Sequence, residues 1–529
     1  LTNFDFIFGT LAVLLIIEGT RRSLGWALPA VALVFLAYAF AGPYLPGILT
    51  HRGYPIEMVL DELYLTTEGI FGVAASASAT FVFMFILFGA FLENTRIGQF
   101  FISLAFAITG GMKGGPAKTA VVASGLMGMV SGSGIGNVAT TGTFTIPLMK
   151  KMGFQPHIAG AIEAAASTGG QIMPPIMGAA AFIMTEFTGT SYFEIIKLAF
   201  IPGLLYFFMV IMQVHFRAHK RNVRVIPKEE LPSIRGILKD GWYLFIPILV
   251  LIVLLVKQYT PLFAATCAIF AAIIVSLFDK KDRMTLAKLF EALTQGAKAA
   301  APIAMACACA GIVVGVLTLT GLGMKFSSLI VSGAGGNLFI GMVLVGITAF
   351  ILGMGLPVVA AYVVLAVLGA PALCELGVPI LAAHLIVMWF TQTSNITPPV
   401  CLAAFTAAGI AGSDPMRTGF ASIRFGIGLF AIPFLFAYSP ILTGFGFNFG
   451  FLQTVITATI GIVVVSAAIE GYLRRPMGII ERIILGVAGI MLVWPDFIVS
   501  IIGLVIALIS YMIQIKTKPS EVSQGYGTM

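Results

Sequence analysis

Two stretches of this chain interrupt apolar helical sequence in the same way, one in each half. The first runs Ser131-Gly132-Ser133-Gly134 and is followed by Pro174-Pro175; the second runs Gly353-Met354-Gly355-Leu356-Pro357 and is followed by Pro398-Pro399. Gly115, Gly132 and Gly134 match Gly336, Gly353 and Gly355 at a constant offset of 221, and the two Pro-Pro pairs match at 224. Glycine and proline break helices, and in lipid a backbone without its hydrogen bonds is tolerated only where it lines a cavity or a site. Paired interruptions in two halves of a membrane chain therefore point to the binding site of a transporter.

The membrane setting follows from composition. The chain is 59% hydrophobic and 10% charged, where soluble domains carry about 25% charged residues. Long apolar runs predict thirteen crossings, near 3–20, 24–42, 69–92, 157–186, 193–219, 241–257, 260–278, 296–320, 378–412, 417–438, 447–469, 477–494 and 497–514. The acidic, amphipathic stretch 55–68 reads as interfacial. Residues 117–130 with 134–149, and 337–352 with 356–370, form arms of about 15 residues, short of the roughly 20 that a crossing needs. Arms of that length around a glycine tip predict re-entrant hairpins.

Lys and Arg cluster at 217–240 and 279–298, which makes that side cytoplasmic; the C-terminus is then cytoplasmic too. On this count 69–92 is the third crossing and 296–320 the eighth, an odd step. The two units, 69–220 and 296–438, are thus expected to be inverted, with linking scaffold helices at 221–295 and extra helices and a tail at 439–529. The net charge of +8 reads as topology rather than as a nucleic-acid surface. The five cysteines have no metal-site spacing and read as core residues. A start at Leu1, almost directly in an apolar segment, reads as a chain whose upstream helices are missing.

The chemistry is expected at the breaks. A Pro-Pro pair frees the carbonyls of the preceding turn, which with nearby hydroxyls suit a hard cation such as Na⁺. One cation site joins Ser131, Gly132, Ser133 and Asn137 to Ser167, Thr168 and Gly169; the second joins Gly353 and Gly355 to Thr393, Ser394, Asn395 and Thr397. A substrate between them faces Ser133, Asn137, Thr140, Thr141, Gln171, Met354 and Gln392. Glu163 and His384, ionisable groups inside the broken segments, are candidate proton carriers, which leaves H⁺ open as the coupling ion; Glu186 is expected at the outer surface. No nucleophile-base set, phosphate loop or zinc motif supports an enzyme, and no catalytic residue or cofactor other than the coupling ion is expected.

The stretches S-G-S-G-I-G-N-V-A-T-T-G, A-S-T-G-G-Q-I-M-P-P and S-N-I-T-P-P-V-C-L-A-A-F resemble the large membrane subunit of TRAP transporters over about residues 69–438. The E-A-A-A-S-T-G-G-Q wording and the extra C-terminal helices are most similar to the fused permease of the TAXI branch, with residues 1–68 a remnant of a small-subunit-like region. The resemblance implies an all-α polytopic protein of elevator type in a bacterial or archaeal inner membrane. It implies symport of a small carboxylate, normally with Na⁺, delivered by a periplasmic solute-binding protein. Gly355-Leu356-Pro357 lacks the acidic residue that often follows the second tip in that family. A stand-alone carboxylate carrier of similar fold is the alternative.

Overall fold

The computed structural model describes residues 2–279, 281–438 and 449–516 and is built of α-helices. They are α1 (Asn3–Leu24), α2 (Ala27–Ala41), α3 (Val73–Glu93), α4 (Ile97–Thr109), α5 (Gly115–Ser131), α6 (Gly134–Lys151), α7 (Pro156–Gly170), α8 (Ala179–Thr188) and α9 (Tyr192–Lys220). Next come α10 (Ile234–Val256), α11 (Pro261–Phe278), α12 (Leu286–Thr320), α13 (Leu322–Ala334), α14 (Leu338–Gly353), α15 (Val358–Leu368), α16 (Ile380–Gln392), α17 (Leu402–Ala411) and α18 (Pro415–Tyr438). The last three are α19 (Phe449–Glu470), α20 (Ile479–Val493) and α21 (Phe497–Lys516).

Ten helices among the described residues are long and apolar enough to cross a membrane, and they coincide with ten of the thirteen expected crossings. The other three differ for physical reasons. Segments 157–186 and 378–412 are each two helices around a non-helical break, and 477–494 holds a helix of 15 residues, which spans only about 23 Å at 1.5 Å per residue. The side on which the tail 517–529 lies falls outside the described residues. The stretch 55–68 is a short helix, Ile56–Leu60, continued by a wider turn, with Val59, Leu60 and Leu63 buried. Sequence reading passed over α4 and α13, helices of 13 residues that precede each hairpin.

The order α3 to α9 recurs as α12 to α18. Helices α7 and α16 start 224 residues apart, at Pro156 and Ile380, as do α6 and α15, at Gly134 and Val358. The tips sit two residues out of the 221 register. The left-handed glycine of the first tip is Gly132 (φ 60°) and that of the second is Gly355 (φ 80°), because four residues, 354–357, separate α14 from α15 while two separate α5 from α6.

Several contacts between the two units are reciprocal, although the packing of α7 on α18 has no equal between α16 and α9. Helix α7 packs on α17 and α16 on α8; α6 packs on α17 and α15 on α8; α3 and α12 pack on each other. Such exchange, in which i touches j and j touches i, is what a two-fold relation generates. Helices α1, α2, α3, α11 and α12 pack on one another as a layer that meets the rest through α12 on α15 and α3 on α8, and α10 joins α11 to α4.

Candidate functional site

Each hairpin turns where its glycine permits. Gly132 ends α5 in the left-handed region, which a side chain rarely adopts, and Ser133 then caps α6, its Oγ accepting from the Gly136 N–H at 3.1 Å. Tip 1 is pressed into the α7–α8 break: a Cβ on Gly132 would lie 2.7 Å from the Met177 carbonyl oxygen, and one on Gly134 would lie 3.3 Å from Thr168 Cα and from Gln171 Oε1. Tip 2 meets its own break likewise, since a Cβ on Gly353 would sit 2.9 Å from Ser394 Oγ.

Hydroxyls satisfy the carbonyls of the breaks, from a neighbouring helix in the first unit and from the break itself in the second. Pro174-Pro175 and Pro398-Pro399 are both cis. The Tyr192 hydroxyl donates to the carbonyls of Pro175 (2.9 Å) and Ile176, and the Tyr206 hydroxyl donates to Ala165 O at 2.7 Å. In the second unit the hydroxyls of Thr393, Ser394 and Thr397 donate to the carbonyls of Phe390, Thr391 and Thr393.

Between the two tips lies a cavity of about 160 Å³, room for about five waters at ~30 Å³ each. Gly132, Ser133, Gly134, Gln171, Gly178, Pro357, Asn395 and Leu402 line it, and Ile303 of α12 closes one side. At its centre Asn395 Nδ2 donates to Gln171 Oε1 at 3.2 Å. These two residues are equivalents at offset 224, so matching positions of the two units meet here.

Four helices begin at the cavity: α6 at Gly134, α8 at Ala179, α15 at Val358 and α17 at Leu402. Of these, α8, α15 and α17 have no side-chain cap. Each helix N-terminus carries roughly half a positive charge and unpaired N–H groups, so four of them favour an anion although no Lys, Arg or His lines the wall. Conversely α5, α7, α14 and α16 end at the tips and breaks, where carbonyl ends favour a cation.

The sequence-expected residues fall into three groups. Ser133 and Gln171 line the cavity. Gly132 and Thr168 meet where tip 1 enters the break, Ser131 precedes that tip and Gly169 faces Tyr206 and Phe207 of α9; the Ser131 and Thr168 hydroxyls are buried with no hydrogen-bond partner among the described residues. Such orphan oxygens are what a hard cation needs, so this end fits Na⁺ by its donor set. At the second end Gly353, Thr393, Ser394, Asn395 and Thr397 also gather; the three hydroxyls donate their protons to carbonyls, which leaves their oxygen lone pairs free for a cation, and Gly355 turns toward Ala27 of α2.

The remaining residues lie behind or beside the wall. Asn137 braces the first hairpin, donating to Ser124 O at 2.7 Å. Thr140 is exposed and donates to Gly136 O; Met354 is half-buried at tip 2; Gln392 is buried and accepts from Asn395 Nδ2 at 3.4 Å.

Glu163 is completely buried, and four hydroxyls converge on its carboxyl: Ser124 at 2.8 Å, Ser167 at 3.0 Å, and Thr141 and Thr145 at 2.5 Å each. No basic side chain pairs with it among the described residues. The second unit has no counterpart, since Leu365 and Gly369 stand at the places of Thr141 and Thr145 and Val387 at that of Glu163. His384, three residues out of that register, bonds the Tyr362 hydroxyl through Nδ1 at 3.0 Å and stacks on Phe187. Glu186 is exposed.

Sequence reading missed Ile303, Gly178, Ser124 and Thr145, because nothing local marks an Ile or a Thr as facing a cavity or a carboxylate. It also missed Lys118, 5% exposed on α5, whose Nζ lies 3.2 Å from His215 Nδ1; an ionisable group in an apolar arm was the available signal. All five cysteines are free, and no group of three or more His, Cys, Asp or Glu able to hold a metal occurs among the described residues.

Residues 8–451 match the family model described as the tripartite ATP-independent periplasmic transporter, DctM component. The C4-dicarboxylate TRAP transporter large permease protein DctM of Pseudomonas aeruginosa is 26% identical over 329 residues, covering 62% of this chain and 76% of that protein. The isethionate TRAP transporter permease protein DctMQ of Oleidesulfovibrio alaskensis is 22% identical, covering 77% of this chain and 60% of its own length. The 2,3-diketo-L-gulonate TRAP transporter large permease protein YiaN of Escherichia coli is 21% identical, covering 66% and 82%. The crystal structure of the Alcanivorax borkumensis YdaH transporter is similar in fold, with a TM-score of 0.50 at 17% identity over 82% of this chain and 99% of that one. Two recurring units of polytopic helices, each broken beside a shared cavity, and a family match over most of the length lead to one conclusion: this chain belongs to the DctM family, the multi-pass inner-membrane permease components of TRAP transporters, which import solutes with a periplasmic binding protein and are not enzymes.

Proposed function

We propose that this permease is a secondary transporter that takes a small carboxylate from a periplasmic binding protein and imports it together with a cation, Na⁺. The observation that carries the proposal is the convergence of four helix N-termini on one cavity without a basic side chain. The substrate's carboxylate sits against those amides, held in place by Gln171, Asn395 and Ser133. The cation sits at the carbonyl ends, with Ser131, Gly132, Thr168 and Gly169 as one set and Gly353, Thr393, Ser394, Asn395 and Thr397 as the other. The names of the relatives support an anionic substrate: a C4-dicarboxylate, isethionate and 2,3-diketo-L-gulonate are all acids.

The reciprocal contacts support an inverted repeat, with hairpins α5–α6 and α14–α15 entering from opposite faces. On this reading α4–α9 and α13–α18 move as an elevator against the layer of α1–α3 and α10–α12. The DctM match already takes in α1 and α2, so they count as part of the large permease and of that layer, and the chain falls in the TAXI branch with its C-terminus cytoplasmic.

The test is uptake into proteoliposomes with the cognate binding protein under imposed Na⁺ or H⁺ gradients. Uptake that follows the Na⁺ gradient and requires the binding protein supports the proposal. Uptake without that protein supports the stand-alone carrier instead.

H⁺ coupling is the second reading, and the four-hydroxyl cage of Glu163 favours it, because a buried acid without a cation is a natural proton site. Glu163→Gln separates the two. With Na⁺ coupling the variant keeps its Na⁺ dependence; with H⁺ coupling it loses gradient-driven uptake but retains exchange.

A further inference from the structure

The family match ends at residue 451, yet α19 beyond it is tied firmly to the rest of the chain through a basic cluster. Glu470, 0% exposed at the end of α19, pairs with Arg424 at 2.9 Å and Arg217 at 3.4 Å. Lys220 Nζ donates to Glu470 O at 2.8 Å, Arg424 donates to Ile469 O, and Arg482 donates to Ala468 O and Ile469 O. Two cations thus pair with the carboxylate, and Lys220 and Arg482 cap the backbone carbonyls of the same helix end. Part of this is ordinary helix C-capping, but capping does not account for the excess of positive charge.

That excess opens on a cavity of about 140 Å³ between the α6–α7 turn and the end of α9, lined by Gly153, Phe154, Gln155, Ile158, Arg217 and Arg221. Arg221 is the C-cap residue just past α9, one turn on from Arg217, to whose carbonyl its backbone N–H bonds. Arg217 spends one N–H on Glu470, and the Arg221 guanidinium has no polar partner among the described residues. Helix α7 begins at the cavity's rim without a side-chain cap. The segment 217–240 is among the richest in Lys and Arg, so this face is the cytoplasmic one on the positive-inside rule.

We propose that this cleft binds a phosphate-bearing anion through Arg217 and Arg221, with the uncapped start of α7 at its rim. Two guanidinium forks on one cavity wall suit a phosphate's oxygens. The source is either the headgroup of an anionic lipid in the adjacent leaflet or a soluble phosphate, and basic pockets between helices on the cytoplasmic side recognise the former.

The experiment uses the full chain in nanodiscs of phosphatidylcholine alone, of phosphatidylcholine with phosphatidylglycerol, and of phosphatidylcholine with added inorganic phosphate, followed by thermal unfolding. Wild type is expected to melt higher with phosphatidylglycerol if the source is lipid, and with inorganic phosphate if it is soluble. Arg221→Gln, an exposed residue that does not serve Glu470, is expected to weaken apparent affinity about tenfold. Arg224→Gln removes the same charge outside the cleft and is expected to leave the shift intact. No shift with either anion, or equal losses in both variants, overturns the proposal, because the effect would then be absent or one of general surface charge.

Discussion

Gly128→Ala tests whether the close crossing of α5 and α7 sets the geometry of the whole first site. A Cβ at Gly128 would lie 2.2 Å from Gly170 Cα and 3.0 Å from its carbonyl carbon, and a Cβ at Gly170 would lie 2.6 Å from Gly128 Cα. Ordinary contact begins at 3.4 Å, so the helices must part by about 1.2 Å; the obstacle is backbone and cannot rotate away. A shift of that size takes the Ser124–Glu163 bond from 2.8 Å to ~4 Å, beyond hydrogen-bond range. It also moves the Ser131 end of α5 away from Thr168. Overpacking lowers stability by about 1–3 kcal/mol, and the better helix propensity of Ala offsets about 1 kcal/mol of that. Folding therefore survives, whereas a 1 Å error at a binding constellation lowers rate by roughly 10²-fold. The assay is initial uptake in proteoliposomes, normalised to correctly folded protein by size-exclusion fluorescence. Gly409→Ala, on α17 with nothing within 4 Å of the added carbon, is the control and keeps wild-type uptake. Uptake by Gly128→Ala within twofold of wild type would refute the reasoning.

Three further expectations are open to direct measurement. Asn137→Ala and Asn395→Ala are each expected to abolish uptake while membrane insertion, read by protease protection, is unchanged; the first loses the brace to Ser124 O and the second the contact with Gln171. Ile303→Trp, on the cavity wall opposite the tips, is expected to fill the space and stop uptake with no loss of binding-protein capture in a pull-down; normal transport would remove Ile303 from the site. Asp279, in the loop after α11, lies 3.0 Å from Arg96 and is 2% exposed. Burial raises its carboxyl, but the Lys281 backbone N–H and the Arg96 guanidinium outweigh that and hold it below its ordinary range. Because the folded value is the lower one, the pair's stabilisation is full above about pH 4 and is lost as pH falls through the folded value. Asp279→Asn should remove that acid-side dependence and lower the melting temperature at neutral pH, and an unchanged melt would show the pair to be inert.

Local rules carried the reading of the chain a long way. Gly132, Gly355 and the two proline pairs act through backbone geometry within a few residues, so the hairpin turns and broken helices could be located from sequence spacing. The apolar runs behaved likewise, and where the expected crossings failed, as at 477–494, helix length decided. The short helices α4 and α13 escaped because 13 apolar-to-polar residues between longer segments carry no distinctive signal. The substrate-facing set was legible only in part. Ser133 and Gln171 reach the cavity, whereas Asn137 and Thr141 turn inward to Ser124 and Glu163. Helical spacing says which residues share a face, not which neighbour that face meets.

Sequence by itself determined the class of protein, the two matching units and the positions where each must unwind, because glycine, proline and long apolar runs act on their own neighbourhood. Tertiary structure alone decided that Gln171 meets its equivalent Asn395, that four helix starts share one cavity, that Ile303 closes it and that hydroxyls from three helices enclose Glu163. Each of those depends on how helices distant in the chain pack against one another, and packing is a property of whole surfaces that no stretch of residues carries alone.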